Sequence, residues 1–202
     1  MSVINSSDFS ANSNPDSTFL LDHPAIGIPD HPLQYRAIGV IQGIYEPSQN
    51  ALTKGIITTA DNQTFNTVLL GKTIGAVKNH VDLDQVQNWV VYPHTIPDTD
   101  NIHFQIAGIY QPQTNIPEIL PDNYFSIRGD IAYSSKYKEK VIVKINQGQS
   151  RQRPNYFKLE LKGKIPNNQM RHFFTFSACL EGKILRIKKY LDLGLIGFNY
   201  RQ

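Results

Sequence analysis

Six histidines, one cysteine and a close pair of aspartates are the side chains from which this chain would have to build metal or nucleophilic chemistry. The histidines (His23, His31, His80, His94, His103 and His172) are scattered, and no two have the His-x-x-x-His spacing that puts two imidazoles on one metal. Cys179 lies in the apolar run FFTFSACL and reads as a small buried residue. Asp82 and Asp84 flank Leu83 without the further carboxylates of a calcium loop. Gly71-Lys72-Thr73 ends like a phosphate-binding loop but lacks the upstream glycine, and neither GxGxxG nor GxSxG occurs. The expectation is a protein that is not an enzyme and needs no metal or cofactor.

Cations and aromatics say more. The net charge of +3 conceals an asymmetry: residues 1–123 carry four basic and twelve acidic residues, and residues 124–202 carry sixteen and five. A half with net charge +11 suggests a polyanionic partner. In VIVKIN and FKLELK the apolar residues alternate with polar ones, as in a strand buried on one face. If Val141, Val143 and Ile145 face a core, Lys144 faces out. If Phe157, Leu159 and Leu161 face in, then Tyr156, Lys158, Glu160 and Lys162 face out. Arg151 and Arg153 lie in the connector between these strands, and a similar alternation turns Arg128 outward from an earlier strand. A cationic surface of this kind tracks phosphates, and an exposed ring gives a base something to stack on. Tyr156 is the first candidate for that ring and Tyr137, in YSSKYKEK, the second.

The elements that must position these residues are mostly strands, and they occur twice. TFNTVLLGK (64–72) and YFKLELKGK (156–164) share Phe, Leu and Gly-Lys at matching places, and YRAIGVIQGIY (35–45) is answered by YFSIRGDIAYS (124–134). Turn chemistry separates the strands, as in EPSQN, ADNQ and LEGK. A helix is expected only in the first copy, over 73–86, with Thr73 capping its start. The division that follows is a disordered leader (1–32), a first domain (33–112), a proline-containing linker (113–123), a basic second domain (124–191) and a tail (192–202). The tail, DLGLIGFNYRQ, either packs back on the second domain or serves as a docking peptide.

Three strands, a short helix and two strands, repeated without the helix, resemble the OB-fold nucleic-acid-binding class in tandem, over residues 33–112 and 123–191. The phrase NWVVYPHT is also similar to a conserved cyanobacterial protein family. The OB resemblance implies an all-β protein of two five-stranded barrels that binds single-stranded DNA or RNA on its middle strands. In this sequence those strands carry Lys144, Tyr156, Lys158 and Lys162. The corresponding outward positions of the first copy include Val68 and Leu70, an apolar face suited to a protein partner. An assembly or scaffold protein whose basic domain meets an acidic partner is the second reading. With one cysteine, no apolar run near the roughly 20 residues of a membrane span and no secretory signal, a cytoplasmic protein is expected.

Overall fold

The alternation that the sequence shows in its strands is the one a closed barrel requires. In β3 (Thr64–Leu69) the residues Phe65, Thr67 and Leu69 are buried, while Thr64, Asn66 and Val68 are exposed. The structure is a computed structural model that describes residues 23–96, 99, 101–112, 123–149, 154–167 and 169–196. The first domain consists of β1 (Arg36–Ser48), β2 (Ala51–Thr58), β3, α1 (Gly71–His80), β4 (Gln87–Thr95) and β5 (Ile102–Tyr110). The second consists of β6 (Tyr124–Ser135), β7 (Lys140–Gln149), β8 (Pro154–Lys162), β9 (His172–Glu181) and β10 (Ile184–Leu195).

Each domain closes on itself. Pairings run β1–β2–β3–β5–β4 and back to β1, with β3 and β5 parallel through Thr67 and Phe104, Val68 and Gln105, and Leu69 and Ile106. The second circuit runs β6–β7–β8–β10–β9 and back to β6, with β8 and β10 parallel where Lys162 meets Arg186. Closure leaves neither barrel an open edge along these circuits. The first core holds Ile41, Tyr45, Ile57, Phe65, Trp89 and Phe104, and the Trp89 indole N–H donates to the Gly43 carbonyl at 2.9 Å. The second holds Ile127, Val143, Leu159, Phe174 and Phe176.

The helix is shorter than its sequence pattern suggests and begins earlier. It starts at Gly71, after Leu70, and no side chain caps it. Thr73 is buried inside its first turn instead of capping it. It ends at His80 because Val81 is extended and the Asp82 carboxylate accepts the Asp84 N–H, a local bond that competes with helical pairing. Val77 enters the first core, and among the described residues no helix stands between β8 and β9.

A third feature joins the barrels into one sheet. The start of β1 pairs antiparallel with β6, matching Arg36 with Arg128, Ala37 with Ile127, Ile38 with Ser126 and Gly39 with Phe125. Gly39 is required there, because a Cβ at this position would lie 2.2 Å from the Phe125 ring. The segment that leads into β1 lies over the outer face of β6, and every residue from Tyr124 to Ile131 is buried. The outward position expected for Arg128 does not exist in such a strand. Arg128 is 7% exposed and donates to Thr175 Oγ1, to the Gln34 carbonyl and to the Pro32 carbonyl.

The segment before β1 is docked on the same seam. His23 is buried against the rings of Tyr110 and Tyr124, one from each barrel. The Arg36 guanidinium reaches the Gly27 carbonyl at 3.0 Å and Ser126 at 2.8 Å. Residues 23–32, assigned to the leader from sequence, thus touch both barrels, and residues 1–22 lie outside the described residues. At the other end β10 runs on to Leu195, so residues 192–195 belong to the second barrel. The end of the tail (197–202) and linker residues 113–122 also lie outside the described residues.

Candidate nucleic-acid interface

The outer face of β7 and β8 is built by register. Across this pair Lys140 stands opposite Lys162, Ile142 opposite Glu160, Lys144 opposite Lys158 and Asn146 opposite Tyr156. Val141, Val143, Ile145, Leu159 and Leu161 are buried beneath. Four lysines therefore share one face, in two directly opposed pairs. Like charges placed opposite one another cost stability. The face offsets part of that with three acidic contacts: Glu160 with Lys140, Glu160 with Lys162 at 3.9 Å, and Asp130 with Lys144 at 3.4 Å. Lys158 has no ion-pair partner among the described residues and is exposed. Lys144 Nζ also lies 5.2 Å from the centroid of the Tyr156 ring, which is 42% exposed.

A second ring joins this face for a reason that strand alternation hides. Ile131 of β6 points into the core, and strict alternation would send Tyr133 the same way. The pairing of β6 with β7 shifts register between Ile131 and Tyr133, and this bulge turns Tyr133 outward, opposite Ile142. Tyr133 is 41% exposed. No periodicity in the sequence marks the bulge, so sequence reasoning missed this residue. Tyr137, at the tip of the loop joining β6 to β7, is almost wholly exposed between Lys136 and Lys138.

More cations gather where β8 ends and the β9–β10 hairpin turns. Lys164 pairs with Glu139 at 2.8 Å, and both Arg186 and Lys188 pair with Glu181. These contacts hold the Glu139 and Glu181 carboxyls below the usual carboxylate range, the first through its bond to Lys164 and the second through its bonds to Lys188 and Arg186. The motif LEGK reads as a turn in the sequence, and only the fold brings its Lys183 to the end of β8, where it lines a small cavity with Lys162 and Glu160.

The sequence-derived set therefore divides in three. Lys144, Tyr156, Lys158 and Lys162 come together on one face. Arg128 is inside the seam. Arg151 and Arg153 lie outside the described residues.

The equivalent face of the first barrel carries Lys54, opposite Val68, in place of the four lysines. Val68 is 38% exposed and Leu70 is half-buried. Val68 lines a groove of about 590 Å³ with Ile56, Lys54, Asn66 and residues of the β1–β2 turn.

Among the described residues no helix is long and apolar enough to cross a membrane. No curated protein matches the chain. It is similar to a solved structure of a deletion mutant of the single-stranded DNA binding protein from Thermus aquaticus, with 6% identity, a TM-score of 0.42, and coverage of 84% of this chain and 99% of that one. Residues 37–117 match the family described as PatR RNA-binding protein, N-terminal OB-fold domain. Residues 127–194 match the cyanobacterial OB-fold-like RNA-binding domain, C-terminal. With these two matches falling in order on its two closed barrels, the chain belongs to the tandem OB-fold class of nucleic-acid-binding proteins.

Proposed function

We propose that the chain is a non-catalytic binder of single-stranded nucleic acid, RNA first, and that the outer face of β7 and β8 makes the contact. The observation that carries this is the grouping of Lys140, Lys144, Lys158 and Lys162 with the exposed ring of Tyr156 on one sheet face. The middle strands and their adjoining loops are where OB-folds meet oligonucleotides. The lysines supply phosphate contacts, and Tyr156 with Tyr133 supplies stacking surface that is tolerant of sequence. Glu160 holds two of the lysines in the free protein. A phosphate that takes over these lysines leaves Glu160 to solvent. Arg151 and Arg153 extend the cationic set along the chain. RNA comes first because both matching family descriptions name it.

The test is the salt dependence of binding to labelled single-stranded RNA, single-stranded DNA and duplex. The expected result is preference for the single strands and a steep fall in affinity as salt rises. Equal binding to duplex, or no binding at low salt, overturns the proposal. A protein partner remains the second reading for the first barrel only, favoured there by the exposed Val68 in its groove.

A further inference from the structure

Beside the β1–β6 seam, the outer surface of β4 and β5 in the first barrel stands opposite the end of β7 and β8 in the second. The space between them is a cleft of about 430 Å³. That lies within the roughly 300–1,000 Å³ typical of small-ligand sites. Its lining differs in kind from the lysine face. The walls are rings: Tyr92, which is 37% exposed, and the His94–Phe157 pair, whose centroids are 4.5 Å apart. Burial, aided by the neighbouring His103, lowers the pKa of His94, so this imidazole carries no charge at neutral pH, and the cation in the lining, Arg36, is engaged by the Gly27 carbonyl and Ser126. Gln105, Asn146 and Gln147 bring primary amides to the same space.

An amide offers a donor and an acceptor side by side, the arrangement that pairs with the edge of a nucleobase. Gln105 lies beside His94 and Asn146 beside Tyr35 in the lining of the cleft. A primary amide has two donors and two acceptor lone pairs, so each keeps hydrogen-bonding capacity for a ligand beside such a neighbour. The cleft also adjoins the proposed binding face. Asn146 stands opposite Tyr156 and two residues from Lys144 on β7. A strand running along the lysines towards Tyr156 therefore arrives at the cleft.

We infer that the cleft receives one unstacked base of a bound single strand, with Tyr92 as its stacking surface and the Gln105 and Asn146 amides reading its edge. This rests on the reading of the β7–β8 face as the track for the strand, and it adds to that reading a position of base selectivity. Lysines and an exposed ring bind any sequence. Paired amides in a walled cleft do not, because a base of the wrong pattern leaves buried donors and acceptors unmatched.

The experiment walks a single abasic position along a bound single-stranded oligonucleotide, using the full chain and its Tyr92→Ala variant. Tyr92 is partly exposed and no hydrogen bond involves its hydroxyl among the described residues, so the variant should fold, as circular dichroism will check. The expected result is one position where loss of the base weakens wild-type binding about tenfold or more, by the magnitude of one stacked base. That position effect should vanish in Tyr92→Ala. If the oligonucleotide binds but all abasic positions cost the same, or the variant keeps the position effect, the cleft assignment is overturned and the lysine face stands. If no single strand binds the wild-type protein, the lysine face falls, and the cleft with it.

Discussion

The Lys144 ammonium sits over the ring of Tyr156, 5.2 Å from its centroid, although the two residues lie on different strands. One face of the ring is thereby occupied by a cation, and the ring is pinned at the edge of the lysine ladder. A ring already held in place loses less entropy when a base stacks on it. The Tyr156→Ala variant should therefore weaken single-strand binding by about 1–3 kcal/mol while leaving the salt slope unchanged, because stacking releases no counterions. Titrations at three salt concentrations check both halves of that statement. A changed slope would mean that the loss of the ring had also displaced Lys144.

Replacing Lys158 and Lys162 together by glutamine should give the opposite pattern. Each lost phosphate contact reduces the salt slope for a single strand by about 0.7. Lys158 is exposed and unpaired among the described residues, and Lys162 holds Glu160 only at 3.9 Å, so both are available to phosphate. The fold should be unaffected, since exposed substitutions of this kind typically shift stability by under about 0.5 kcal/mol. A double variant with the full wild-type slope would move the binding face elsewhere.

The seam between the barrels should be intolerant of the smallest side chain. At Gly39 an added methyl would meet the Phe125 ring at 2.2 Å, and Phe125 is fully buried. Gly39→Ala should lower stability by about 1–3 kcal/mol, the usual cost of overpacking. Chemical denaturation of the two proteins measures this. An unchanged midpoint would show that β1 and β6 separate easily.

The segment ahead of β1 should contribute to stability. A chain starting at Asp30 lacks His23, which is buried between Tyr110 and Tyr124, and the Gly27 carbonyl that accepts from Arg36. It should melt several degrees below a chain starting at His23, since about 1 kcal/mol corresponds to roughly 2–4 °C at this size. Equal melting temperatures would return these residues to a dispensable leader.

Acidification should destabilise the fold in two separate windows. Burial lowers the folded-state pKa of both His94 and His103, which stack at 5.3 Å. As pH falls below the ordinary histidine value of about 6.5, the unfolded chain takes up protons first, and stability is lost. Glu139 and Glu181, held low by their lysine and arginine partners, give up their contribution only below about pH 4.5, and it is small because both are exposed. Melting temperatures from pH 7.5 to 5 should fall for the wild type and stay flatter for a His94→Gln, His103→Gln variant. A wild-type profile that is flat through this range would contradict the assignment.

The sequence by itself determined the duplicated strand pattern, the order of elements along each copy and the charged face of the second. Period-two alternation in VIVKIN and FKLELK is a local property, because a half-buried strand must put every second side chain into the core whatever its neighbours are. That is why Lys144, Tyr156, Lys158 and Lys162 could be placed on one face, and why the frame of Phe, Leu and Gly-Lys marked a duplicated barrel. Tertiary structure decided whatever depended on neighbours distant in the chain. Arg128 sits inside because the segment ahead of β1 lies over the outer face of β6, so both faces are covered and alternation no longer sorts polar from apolar. Tyr133 faces out because a bulge against β7 resets the phase. His23, Tyr92, His94 and Phe157 acquire their surroundings only when two barrels close and meet along one seam. Inter-barrel packing of that kind has no sequence period, since it joins residues whose separation along the chain follows no repeat.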